Sequence, residues 1–133
     1  MKMTKEAFAE KLVSLFPEKK EALAEHYNDY NDLLGHVFFA DELNEPLILM
    51  LSQQGDEAMI SKLCSFIEDM WCNGDDDVVN IVDVTILEHL SDDEYVWRSF
   101  GKHISNDFIR YINTEVLVGN AMMWQVSRLE YNK

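Results

Sequence analysis

Helix-breaking residues are scarce: 133 residues contain five glycines and two prolines. That scarcity excludes the turn-rich build of sandwiches and barrels and favours helices. Cysteine is as scarce. Cys64 and Cys72 are eight residues apart within one helical pattern, which separates them by about 12 Å along a helix axis, beyond disulfide reach. Both are expected to be free thiols, buried as small apolar groups, with no neighbours spaced to complete a metal site. No apolar run approaches the roughly 18 residues of a membrane span. The start, MKMTKEAFAEKLVSL, places charges where a secretory signal has its apolar core. A cytoplasmic protein without membrane contact is expected.

Reactive constellations are missing too. There is no phosphate loop, no dinucleotide fingerprint and no basic aromatic patch for nucleic acid. His26, His36, His89 and His103 are scattered, and none belongs to an HExxH arrangement or neighbours an evident nucleophile. Asp75 to Asp77 suggest a calcium loop, but counting from Asp75 the sixth residue is Asn80 rather than glycine and the twelfth is Ile86 rather than glutamate. The chain is therefore expected to be no enzyme and to use no cofactor or metal.

Positive charge is absent from the middle of the chain. Between Asp29 and Glu94 there are 17 Asp and Glu against one base, Lys62, whereas residues 1–28 are balanced and residues 95–133 carry two more bases than acids. The formal net charge of −14 thus arises from one stretch. A protein so charged is repelled by nucleic acid and anionic membranes and attracted to basic proteins.

What remains is a succession of amphipathic segments. Thr4 is placed to cap a first helix carrying Phe8, Leu12, Leu15 and Phe16, and Pro17 opens a second with Ala22, Leu23, His26 and Tyr27. Asp32 is a candidate cap for a helical piece over 33–39. Helix is expected on both sides of Pro46, with a break at Asn44 and Glu45. Asp56 opens a helix whose stripe contains Met59, Ile60, Leu63, Phe66, Ile67, Met70 and Trp71. The stretch 74–94, GDDDVVNIVDVTILEHLSDDE, reads as a buried central helix bracketed by exposed acids. A strand is its rival, because Val82 to Ile86 alternate apolar and polar; the length of the apolar run favours helix. Within it Asp83 faces apolar neighbours, where burial raises a carboxylate pKa unless Arg98 or Arg110 pairs with it. A short apolar segment, 95–100, ends at Gly101. Ser105 or His103 then introduces a helix with Ile104, Phe108, Ile109, Ile112, Val116 and Leu117. The tail, with Met122, Met123, Trp124, Val126 and Leu129, is read as a last helix.

The fold class is accordingly all-α in one domain, 1–133, with 118–133 as an optional C-terminal appendage. Two architectures suit it: stacked helical hairpins, as in a short HEAT/armadillo-like solenoid, or an irregular helical bundle.

The segments YNDLLGHVFFADELNEPLILML (30–51), MISKLCSFIEDMW (59–71), NGDDDVVNIVDVTILEHL (73–90) and FGKHISNDFIRYI (100–112) resemble a family of small acidic helical bacterial proteins of unassigned function. That family shares the acidic loop, the buried helix and the glycine-containing turn. Proteins of this build are also similar to toxin-immunity proteins of the contact-dependent growth inhibition type. The resemblance spans residues 30–113 and implies a helical fold, a cytosolic location and no catalysis. It carries over no functional residue.

The acids cluster at expected helix junctions: Asp29 and Asp32; Asp41, Glu42 and Glu45; Asp75, Asp76 and Asp77; Asp92, Asp93 and Glu94. In a stack of hairpins, alternate junctions share an edge, so some clusters should merge into a negative docking surface rather than act only as a solvated face. Tyr30, Trp71 and Tyr95 are the candidate anchors within it, with Phe38 and Phe39 as further aromatics. The expected function is an immunity or inhibitor protein that neutralises a basic partner, most readily a nuclease toxin domain; a helical adaptor for a peptide is the alternative. A monomer or weak dimer is expected.

Overall fold

The computed structural model describes residues 2–119 and 126–133. They form seven helices: α1 (Lys5–Leu15), α2 (Lys20–Tyr30, entered through a 3-10 turn at Pro17–Lys19), α3 (35–53), α4 (Glu57–Asn73), α5 (76–90), α6 (Glu94–Gly101) and α7 (106–119). Short polar side chains start most of them by taking up N–H groups that a first turn leaves unpaired. Thr4 accepts from Ala7, Asp56 from Ala58 and Met59, Asp75 from Val78, Asp93 from Val96 and Ser105 from Phe108. Asp32 departs from its expected role. Its carboxylate accepts from Leu33 at 2.8 Å, while α3 begins two residues later without a side-chain cap, and the Leu34 N–H donates to Nε2 of His26.

The three helices α3, α5 and α7 each contain a π turn, at Ala40–Asn44, Val82–Ile86 and Ile112–Val116. In each the closing N–H reaches back five residues, Glu45 to Ala40, Leu87 to Val82 and Leu117 to Ile112. The turn in α3 answers the break expected before Pro46. The helix continues, because the widened turn skips a bond where proline has no N–H to give. The turn in α5 coincides with the alternating Val82–Ile86 segment that imitated a strand, so helix holds. Side chains also bond carbonyls of the turn in α5: Nδ2 of Asn44 donates to Ile86 O at 2.9 Å, and Nδ1 of His89 to Thr85 O at 2.7 Å.

One apolar cluster joins the elements. Phe8 and Leu12 of α1, Phe38, Phe39 and Leu43 of α3, Leu63 and Ile67 of α4, Ile86 and Leu87 of α5, Trp97 of α6 and Phe108 of α7 are at most 2% exposed. The first half of α3 packs on the first half of α5 and its second half on α6, while α4 lies along α5. The protein is all-α, and of the two expected architectures the irregular bundle fits. Cys64 is a free thiol in this core, its pKa pushed up to about 12 by burial; Cys72 is free and exposed. Extended residue Met3 bridges to the α4–α5 junction, its N–H donating to Asn73 O and its carbonyl accepting from Asp75 N. Gly74 is required there, since a Cβ would collide with the Met70 carbonyl and the Val78 side chain.

The tail differs from expectation. Met122, Met123 and Trp124 lie outside the described residues, and 126–133, with Val126 and Leu129, is not helical. Leu129 enters the core instead, 5% exposed.

Candidate functional site

Helical spacing places acids on facing walls. On α2, Glu25 and Asp29 are four residues apart and His26 and Tyr30 likewise; on α3, Val37 precedes Asp41, and Phe38 precedes Glu42, by the same interval. Packed together these residues line a shallow cleft of about 180 Å³, in which Glu25, Asp29, Asp41 and Glu42 converge. His26 and Phe38 are its most buried lining residues. His26 is tilted against Tyr30 (4.8 Å) and meets Phe38 edge to face (5.5 Å), with Nε2 already engaged by the Leu34 N–H. Tyr30 is 49% exposed at the rim. Lys19 reaches Glu42 from the side at 3.5 Å. Among the expected acids, this cleft unites Asp29, Asp41 and Glu42 around Tyr30, and adds Glu25, which lies in the charge-balanced start of the chain.

The other clusters do not join one surface. Asp75, Asp76 and Asp77 mark one end of α5 and Asp92, Asp93 and Glu94 follow the other, so a helix of 15 residues, roughly 22 Å long, separates them. Several of these carboxylates also have structural duties. Asp75 and Asp93 cap helices, and Asp32 holds the Leu33 N–H. Glu94 accepts from Arg98 at 3.0 Å and from the Ser127 N–H at 3.2 Å; the Ser127 side chain first, then Arg98 and the Ser127 backbone, hold its pKa below the usual carboxylate range. Asp76, Asp77, Asp92 and Glu45 are exposed.

The aromatics divide similarly. Trp71 is no free anchor: it stacks on Phe108 at 4.8 Å and tilts against Tyr111 at 5.2 Å, half-buried. Phe38 and Phe39 are buried. Tyr95 stays 49% exposed, but its hydroxyl accepts from Nε2 of Gln54 at 2.5 Å. Of the three anchors named from sequence, Tyr30 is the one that lines a cleft shared with acids of two helices.

Asp83 has a different partner from those expected. The Tyr111 hydroxyl, not Arg98 or Arg110, donates to Oδ2 at 2.7 Å, and Oδ1 is buried without a partner. Burial raises the Asp83 pKa, partly countered by that hydrogen bond; burial also raises Tyr111, helped by Asp83 itself.

Sequence reasoning missed a second constellation. On α7, Asn113 donates to Leu129 O and accepts from Leu129 N, both at 2.9 Å. Two turns earlier on the same face, Asn106 donates to Asn132 O at 2.9 Å and accepts from Asn132 N at 2.7 Å. Trp97 Nε1 donates to Ser127 O at 2.9 Å, and Nδ2 of Asn132 donates to Gly101 O and Ile104 O. The available signal was two asparagines seven apart in a helix, where their propensity is poor. Between α6 and this clamped segment opens a cavity of about 570 Å³, with Arg98, Lys102, Arg128 and Lys133 on its walls against Glu130. Among the described residues no helix is long and apolar enough to cross a membrane.

Residues 9–117 match the family model described as "Domain of unknown function (DUF7674)". No curated protein and no solved structure matches the chain.

Proposed function

We propose, on the premise that the chain belongs to the DUF7674 family of domains of unknown function, that it is a non-enzymatic cytoplasmic inhibitor. It binds a basic protein, of which a nuclease toxin domain is the most fitting kind, as a bacterial immunity protein would. The observation that carries this reading is the α2–α3 cleft, where Glu25, Asp29, Asp41 and Glu42 converge around the exposed ring of Tyr30. Four acids lining one small cleft, against the one base Lys19 that pairs with Glu42, lower the potential of a narrow surface, and a nuclease must present the opposite sign to hold phosphate. Cationic side chains entering the cleft relieve repulsion among these acids, while Tyr30 supplies apolar contact area. Opposed fields also speed encounter, from about 10⁵–10⁶ towards 10⁸ M⁻¹s⁻¹ at low salt.

The test is titration of the protein against the product of the adjacent gene, followed by association kinetics and nuclease activity. Stoichiometric inhibition is expected, with an association rate that falls as salt rises. Reversing Asp29, Asp41 and Glu42 to lysine should slow association by at least about tenfold. Binding that ignores both salt and the reversal refutes the cleft, and an uninhibited nuclease refutes the function.

A further inference from the structure

Residues 126–133 are held in the manner of a ligand. Their attachment is made through their backbone by side chains of the helices rather than by a regular ladder. Asn113 reads both the N–H and the C=O of Leu129, and Asn106 reads both groups of Asn132. The spacings agree: seven residues along α7 cover about 10 Å, and three residues of extended chain cover about 10 Å as well. Because Asn106 meets the later residue, the segment runs antiparallel to α7.

A groove that reads backbone accepts many sequences, so selectivity must come from the few side chains it also engages. Leu129 is buried in the apolar cluster. Asn132 Nδ2 caps the carbonyls of Gly101, the last residue of α6, at 3.0 Å, and of Ile104, in the turn that follows, at 2.9 Å. The remaining positions fit less well. Arg128 and Lys133 line the same cavity as Lys102 and the Glu94-paired Arg98, so the segment adds two bases, against the single acid Glu130, to a wall that is already basic.

We propose that the α6–α7 face is a peptide-binding groove, occupied here in cis by residues 126–133. In trans it receives an extended segment of a partner protein with an apolar residue three positions before an asparagine and acidic residues flanking them. Arg98 and Lys102 belong to α6 and remain when the resident segment leaves, so acids at the positions of Arg128 and Lys133 convert repulsion into attraction. The resident segment is then a competitor that sets the threshold for partner binding. This groove is independent of the α2–α3 cleft, and its failure leaves the inhibitor reading intact.

The experiment uses the full chain and two fluorescent peptides: the 126–133 sequence itself, and the same sequence with Arg128→Glu and Lys133→Glu. Asn132→Ala in the protein removes the two caps and loosens the resident segment. Fluorescence anisotropy should show the acidic peptide binding this variant at least about tenfold more tightly than the wild-type chain, by the fraction of grooves set free. The peptide of native sequence should bind more weakly than the acidic one, and adding Asn113→Ala should abolish binding of both. No saturable binding to an Asn132→Ala protein of unchanged helical circular dichroism overturns the proposal, as does binding indifferent to Asn113→Ala. Should Asn132→Ala not fold, amide exchange in the wild-type chain decides. The acidic peptide at millimolar concentration must accelerate exchange at the Leu129 N–H, and unchanged exchange overturns the groove.

Discussion

The α2–α3 cleft and the α6–α7 clamp treat polarity in opposite ways. In the cleft, Glu25, Asp29, Asp41 and Glu42 share a small space and Lys19 alone reaches in among the ion pairs of the described residues, at 3.5 Å from Glu42. In the clamp, the amides of Asn106 and Asn113 are matched donor to acceptor with backbone groups. Exposed like charges cost stability a little and are answered by water and salt, whereas buried amides without partners cost the full loss of hydration. The contrast separates two kinds of polar residue: those left open to attract charge from outside, and those whose donors and acceptors are already matched by backbone.

Trp97→Ala should give the largest effect, because it removes a fully buried ring and the bond from Nε1 to Ser127 O. A loss of about 3–5 kcal/mol in denaturant unfolding is expected. Asn113→Ala comes next. It leaves the N–H and C=O of Leu129 without partners at a buried position, and a loss of about 1–3 kcal/mol in all is expected where water cannot reach them.

Asp83 lies between the two regimes and sharpens the comparison through pH. Its folded pKa is raised, so its favourable contribution is complete below the unfolded value and is lost as pH rises through the folded one. Above that folded value the ionised carboxylate is therefore a burden. Asp83→Asn, which still accepts from Tyr111, should be the more stable protein there, by less than about 1 kcal/mol because the group is only half-buried. Paired unfolding curves should converge as the solution is acidified; a constant gap would assign the effect to shape rather than charge.

Smallest of all is Asp29→Lys. Stability should move by no more than about 0.5 kcal/mol, while any basic partner associates more slowly. If thermal unfolding instead showed this reversal to be as damaging as Asn113→Ala, the distinction between cleft and clamp would collapse.

Local chemistry was legible where it acts within a few residues. Thr4, Asp56, Asp75 and Ser105 each cap the helix that follows them, since a cap bonds N–H groups two or three positions ahead. Asp32 misled because His26, eight residues from Leu34, took over the start of α3. The π turns were invisible for a related reason. Val82–Ile86 looks like a strand and Pro46 like a break until packing rewards a widened turn that keeps both segments helical. Trp71 read as a surface anchor because its stripe was correct but the neighbour that covers it, Phe108, comes from α7.

The order of helices, the apolar stripes and the concentration of acid between Asp29 and Glu94 were determined by the sequence alone, because periodicity and charge are properties of neighbouring residues. Which acids meet, at Glu25, Asp29, Asp41 and Glu42, was decided only when α2 packed on α3. So was the course of residues 126–133, whose partners Asn106 and Asn113 lie 26 and 16 positions away in the chain. Pairings of that reach depend on how helices close against a shared core, and no local pattern encodes them.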